Sequence, residues 1–261
     1  MHEELRERWR HQEWQVIPPR PLLPAENLAL DEVLTQRVGR GERLPTLRFW
    51  SWARKAIILG RFQSVQNEVY AEVAAQHEID VVRRISGGGA MFVEPEGAIT
   101  YSVYVPESFV RGLSFAESYE MFDSWVLDAL RDLGVNAWYQ PLNDITSEGG
   151  KIGGAAQARR GGAVLHHTTM AYQMTTGVLG TVLRVGQEKL SDKGIRSADR
   201  RVGPLRQQTE MERDAIIAHL IEHFRSRFGL HDDELTLEEE AEMQRLVDEQ
   251  FGTRDWTYFL P

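Results

Sequence analysis

Residues 86–89 read Ser-Gly-Gly-Gly, with strand-like runs before them (Ile79-Asp80-Val81-Val82) and after them (Met91-Phe92-Val93). Three consecutive glycines remove every Cβ where the chain must turn, so the backbone can lie directly against a ligand. The N–H groups of such a loop suit an anion. Arg83 and Arg84 stand at its mouth with forked donors matched to phosphate or carboxylate. A plain hairpin turn followed by a β-bulge satisfies the same glycines.

A loop of this kind needs a scaffold, and 261 residues with 42% hydrophobic and 26% charged composition are enough for one sizeable core. Thirty basic residues against thirty-nine acidic ones give a formal net charge of -9, which argues against a general nucleic-acid binder but permits a local basic pocket. Zero cysteines exclude disulfides, Cys-ligated metals and any thiol nucleophile. No apolar run has the length of a membrane span, and the start (Met1-His2-Glu3-Glu4-Leu5-Arg6) is too charged for a signal peptide. The expectation is a cytoplasmic protein with neither membrane nor nucleic acid as partner.

The Pro-rich piece Pro18–Pro24 separates a polar, Trp-bearing lead, residues 1–24, from a body, residues 25–261, that reads as one domain without repeats. In the body, Asn27 can cap a helix whose apolar face is Leu28, Leu30, Val33 and Leu34. Thr46–Trp50 and Ala56–Leu59 read as strands, and Val65–His77 as a helix. Ala98–Val105 is a β-branched and aromatic run. Ser114 with Glu117, Thr209 with Glu212, and Thr236 with Glu239 each have capping-box spacing ahead of an amphipathic run, with Gly134 and Gly229 as stops. Strands and helices mix without regular βαβ alternation. This favours an α+β fold, a mixed, largely antiparallel sheet flanked by helices, over a doubly wound one.

A second unusual stretch runs from Asn143-Asp144 through Lys151-Ile152-Gly153-Gly154-Ala155-Ala156-Gln157 to His166-His167-Thr168-Thr169. A lone lysine between two Gly-Gly pairs reads as a loop whose ammonium reaches a ligand while the glycines let the backbone close over it. Asn143 and Asp144 offer a carbonyl and a carboxylate, suited to a hard divalent cation or a ribose hydroxyl, or to an Asx turn. Adjacent histidines on a strand point to opposite faces, so at most one of His166 and His167 faces a site. No carboxylate cluster suggests nuclease or phosphatase chemistry.

These stretches, in this order, resemble the lipoate-protein ligase family of the biotin/lipoate ligase superfamily. The resemblance begins at Ala25–Glu32, passes through Ile58-Leu59-Gly60-Arg61-Phe62-Gln63 and the two stretches above, includes Lys193–Ser197, and ends near Asp255-Trp256. It implies a biotin/lipoate ligase-like catalytic domain that activates lipoate, or octanoate, with ATP and Mg2+ as an acyl-adenylate. The acyl group then passes to a lysine of an acceptor, a lipoyl domain of a 2-oxoacid dehydrogenase or the glycine cleavage H protein.

By the same resemblance, Arg84, Ser86, Gly87, Gly88 and Gly89 hold the lipoyl group and the adenylate phosphate. Asn143 and Asp144 face the nucleotide, Asp144 with the magnesium, and Gly153 and His167 complete the binding set. Lys151 is the catalytic charge on the carboxylate and α-phosphate oxygens, which calls for a nearby anion. Octanoyltransferases of the superfamily work through a cysteine thioester, a route closed to a chain without cysteine. A biotin ligase, or a relative that binds acyl or nucleotide ligands without ligating them, are the alternatives. Three departures stand out. Phe92-Val93-Glu94 replaces a pattern with histidine. Thr168 stands where the family has glycine. The chain stops where longer members continue into an accessory domain, which implies a separate accessory protein.

Overall fold

The computed structural model describes residue 7 and residues 9–173, 179–184 and 202–260. The Lys193–Ser197 motif lies outside the described residues. Thirteen strands are described in chain order. They are β1 (Gln15–Ile17), β2 (Pro21–Leu22), β3 (Thr46–Phe49), β4 (Ser51–Trp52), β5 (Ala56–Leu59), β6 (Asp80–Arg83) and β7 (Met91–Val93). There follow β8 (Ala98–Pro106), β9 (Ala137–Gln140), β10 (Asp144–Ser147), β11 (Gly150–Arg160), β12 (Ala163–Ala171) and β13 (His231–Asp232). Eight of them form one sheet in the order β13-β1-β3-β8-β12-β11-β10-β9, antiparallel from β3 to β9 and parallel on either side of β1. A second sheet, β6-β5-β7, carries the triple glycine between β6 and β7.

The centre of the large sheet is covered on both faces, so β8 is buried almost throughout, with Ile99, Tyr101, Val103 and Val105 in one core and Thr100, Ser102 and Tyr104 hydrogen-bonded on the other side. One face packs under helices α2 (Phe115–Asp132) and α3 (Arg213–Phe228), with Val103, Phe122, Trp125, Leu220 and Phe224 in a common core. The other face packs under α1 (Pro24–Gly39), against which Ile58, Val82 and Val93 of the small sheet also lie. A fourth helix, α4 (Leu237–Leu246), joins that layer through Met243. The α+β expectation of a mostly antiparallel sheet flanked by helices therefore holds.

Several local readings change. Residues 9–22 pack into the body: Trp9 and Trp14 are buried beside Phe224, and β1 sits between β3 and β13. Asn27 lies inside α1, which starts at Pro24, and its amide holds the Leu22 and Ser51 carbonyls. Val65–His77 is two short helices, Val65–Glu68 and Ala71–Gln76, because Val69 turns extended between them. The residue at the start of helix α3 is Glu212, whose side chain makes no cap hydrogen bond, not Thr209. The Ser114–Glu117 and Thr236–Glu239 capping boxes form as read.

Candidate active site

The β12 strand alternates faces. His166 and Thr168 point at Asp123 of α2 (2.8 Å each), while His167, Thr169 and Ala171 line a cavity of about 550 Å3 on the other face. Opposite them the wall is the glycine loop and β7, through Arg84, Gly88, Gly89, Met91 and Val93. Asn143, Lys151, Gly154 and Ala156 supply the third side. The two sequence stretches thus converge on one cavity, mostly apolar, with a few charged and polar groups.

The double arginine does not behave as expected. Arg83 is fully buried and donates to the backbone carbonyls of Gly60, Gln63 and Thr257, so it ties the segment after β5 to the C-terminal region. Arg84 reaches the cavity wall, but its guanidinium donates to the Ser86 hydroxyl (3.0 Å) and to the carbonyls of Gly87 (2.6 Å) and Gly89 (2.9 Å). Burial pulls its pKa down to about 10. It also donates to the Ile58 carbonyl of β5 (3.3 Å), so it braces the loop and ties it to the small sheet. Gly88 takes φ +91, and a Cβ at Gly60 would stand 2.0 Å from the Gly88 carbonyl oxygen, so the loop also rests on the glycine ending β5.

Lys151 lies in β11, not in a loop; the turn before it is Glu148-Gly149. A bulge in the β10–β11 ladder sets Lys151 opposite Thr146, and its Nζ pairs with Asp144 Oδ1 at 2.7 Å. Both side chains are part-exposed, so the pair stands open to a ligand, and the anion expected beside Lys151 is Asp144. Gly154 leaves the space beneath the pair: a Cβ there would be 3.5 Å from both Lys151 Nζ and Asp144 Oδ1. Gly153, the glycine named from sequence, also lines the cavity, and a Cβ there would be 2.5 Å from the Thr169 carbonyl of the neighbouring β12. Asn143 donates its amide to the Ala155 carbonyl (2.6 Å), which ties the segment to β11 instead of closing an Asx turn.

His167 is buried at the cavity wall. Its Nδ1 lies 2.8 Å from Asp31 Oδ2 and its Nε2 lies 2.7 Å from Ser86 Oγ. Burial pushes its pKa down, against the pull of Asp31. Asp31, on α1, also accepts from Ser102 Oγ (3.0 Å) and Tyr104 OH (2.5 Å). Sequence reading passed over Asp31 as a site residue; an acid on the apolar face of an amphipathic helix was the available signal. Thr168, the departure from glycine, turns its side chain to Asp123 and away from the cavity. Val93 is buried at the base of the wall.

A Mg2+ ion fits this donor set. One amide, Asn143, lines the cavity beside one carboxylate, Asp144, which is paired with the lining Lys151, and magnesium commonly binds through one or two carboxylates together with substrate phosphates. Among the described residues the one cluster of three protein groups able to ligate a metal is Asp132, His219 and His223, and none of them lines the cavity.

Comparison with known proteins gives a consistent result. The family model described as lipoyl protein ligase A/B catalytic domain matches residues 23–225. An octanoyltransferase LipM of an Exiguobacterium species is 30% identical over 94% of this chain and 98% of its own, and one of Carboxydothermus hydrogenoformans is 29% identical with the same coverage. Among solved structures, the bi-partite lipoate protein ligase of Thermoplasma acidophilum, described with its E2 lipoyl domain, superposes with a TM-score of 0.83 at 28% identity over 96% of this chain and 98% of that one. A lipoate-protein ligase A bound with ATP superposes with a TM-score of 0.82 at 26% identity, covering 96% and 99%. With the model matched across both cavity walls and the sheet that joins them, the chain belongs to the lipoyl protein ligase A/B catalytic domain family.

Proposed function

We propose that the protein is an ATP-dependent lipoate-protein ligase, forming an acyl-adenylate from lipoate or octanoate and passing the acyl group to a lysine of a lipoyl acceptor domain. The observation that carries this reading is the Lys151–Asp144 pair at one wall of an apolar cavity, facing a braced glycine loop, in a chain without cysteine. It is supported by relatives of similar fold described with lipoic acid and with ATP.

In this reading the acyl tail lies among Met91, Val93, Ala156 and Ala171. Its carboxylate faces Lys151, whose Nζ leaves Asp144 to meet the carboxylate and α-phosphate oxygens. A fixed cation there stabilises charge that grows as the mixed anhydride forms, and again as the anhydride is attacked. Arg84 keeps the Gly87 and Gly89 carbonyls turned inward, which leaves the loop N–H groups for the phosphate. Asp144 with Asn143 would hold Mg2+, which supplies neutralisation of the nucleotide phosphates. The nucleophile of the second step is the acceptor lysine, since the enzyme has no thiol.

The acceptor is a lipoyl domain of a 2-oxoacid dehydrogenase or the glycine cleavage H protein. A separate accessory polypeptide closes the site, by analogy with the bi-partite Thermoplasma ligase. The names of the curated relatives favour a second reading, direct octanoyl transfer from a carrier thioester to the acceptor without ATP. Pyrophosphate exchange with lipoate, octanoate and biotin, with and without candidate accessory proteins, separates the two. Exchange driven by lipoate or octanoate supports the ligase; transfer from an octanoyl thioester with no exchange at all replaces it with the transferase.

A further inference from the structure

We propose that His167 is the base that takes the proton from the acceptor lysine during acyl transfer, held for that role by Asp31. The inference rests on the reading that an acceptor amine attacks an acyl group in this cavity.

The hydrogen bonds run in one direction along four groups. Arg84 Nε–H donates to Ser86 Oγ (3.0 Å), so the hydroxyl proton of Ser86 is directed at His167 Nε2 (2.7 Å). On the far side of the ring, Asp31 Oδ2 accepts from Nδ1–H (2.8 Å), because Oδ1 already faces Ser102, Tyr104 and Arg48. This assigns the Nδ1–H tautomer and leaves the Nε2 lone pair as the receiving atom. A buried imidazole that lines the cavity, with a carboxylate behind it and its Nε2 lone pair held by the Ser86 hydroxyl, has the parts of a general base: orientation, tautomer and a counter-charge for the imidazolium.

The step balances. The lysine Nζ forms the amide bond to the acyl carbon as the bond from that carbon to the phosphate oxygen breaks, and AMP leaves with that electron pair. The lysine attacks as the neutral amine, its first proton having gone to solvent; the second, surplus once the amide bond forms, goes to His167 Nε2, the position the Ser86 hydroxyl now occupies. The imidazolium later releases it to solvent.

The groups facing His167 are Asp31 from α1, Arg84 and Ser86 from the glycine loop, His166 beside it in β12 and the Trp50 ring at 6.0 Å, while Lys151 lines the same cavity. Burial is the largest influence and keeps the ring neutral, Arg84 and His166 act in the same sense, and Asp31 opposes them.

The test supplies the full chain with synthetic lipoyl-adenylate and an isolated lipoyl acceptor domain, and in parallel with an octanoyl thioester donor. Beneath the rise that deprotonation of the acceptor lysine gives wild type and variant alike, wild-type transfer is expected to show a further limb lying below the titration of a free histidine. His167→Gln can still donate to Asp31 but cannot take a proton. It is expected to lose about a hundredfold or more in kcat, with the loss on kcat rather than on KM for the acceptor, and to lack that pH limb. A variant that keeps the wild-type rate, or keeps the limb, overturns the assignment. Wild type silent on lipoyl-adenylate but active on the thioester overturns the ligase reading instead, and the base is then read out on the thioester.

Discussion

At the scale of single residues, adjacent positions of the same type end in different work, and strand geometry decides which. Arg83 and Arg84 are neighbours at the end of β6, so they point to opposite sides. One clamps carbonyls near the C-terminus and the other braces the glycine loop. The dipeptide alone does not say so, because its donors fit backbone carbonyls as well as phosphates. The same alternation was legible for His166 and His167, where only the second faces the cavity. Lys151 is part-exposed and pairs with the part-exposed Asp144, so Lys151→Ala should cost the fold little. It should cost adenylate formation and transfer on the order of 3 kcal/mol, or a hundredfold or more in rate, because a fixed charge is removed where charge develops. A folded Lys151→Ala protein with near-normal rates in both half-reactions would contradict that role. Gly60→Ala places a Cβ 2.0 Å from the Gly88 oxygen and forces the loop to move. Overpacking of this kind costs about 1–3 kcal/mol, and calorimetry should show weaker binding of an acyl-adenylate analogue by the folded variant. Unchanged affinity would mean that the position of the loop does not set binding.

At the scale of elements, start signals were legible where the cap is local and misread where tertiary contacts chose the boundary. Ser114 and Thr236 each bond the N–H three residues on, a geometry contained in four residues. Asn27 and Thr209 have cap chemistry too. Asn27 is instead drawn into α1 to satisfy carbonyls of β2 and β4, and Glu212 takes the place of Thr209. Helix α4 shows how local and distant terms combine. Glu239 closes the capping box by accepting from the Thr236 N–H (2.9 Å), and it also pairs with Arg43 at 2.6 Å, both side chains being almost wholly buried. Arg43 keeps Asp233 as a second partner. Glu239→Ala therefore removes a cap and leaves a buried guanidinium with half its counter-charge, for an expected loss of about 3–5 kcal/mol. Thr236→Ala removes only the cap and should cost about 1 kcal/mol. Urea denaturation of the two variants checks the ordering, and equal losses would show that the buried pair adds nothing to the cap.

At the scale of the whole molecule, the strands were legible but their order was not, because pairing partners lie far apart in sequence. β1 joins β13 from the other end of the chain, and β12 pairs along its whole length with β8. The cavity forms between the two sheets, so from residues alone its walls read as two separate glycine-rich stretches, and only the resemblance joined them. Burial by this architecture also sets how stability responds to acid. His167 at the cavity and His223 between α3 and the end of α2 both have pKa values lowered from 6.5, with desolvation the largest cause in each. A histidine whose folded pKa is depressed stays neutral in the native state while the unfolded chain already takes up a proton. The unfolded state therefore binds more protons once the pH falls below about 6.5, and stability rises with pH in that window. The contribution is complete above the unfolded value and is lost as the pH drops from there towards the folded values. Each such histidine can supply a slope of up to about 1.4 kcal/mol per pH unit, so the two together can supply roughly twice that. The urea midpoint should accordingly hold steady near neutrality and fall between about pH 6.5 and 5.5, before most carboxylates titrate. His167→Gln should remove one histidine's share of that slope, since glutamine takes up no proton in either state. A His167→Gln protein whose midpoint falls as steeply as the wild type over that window would show that His167 is protonated as readily inside the fold as outside it.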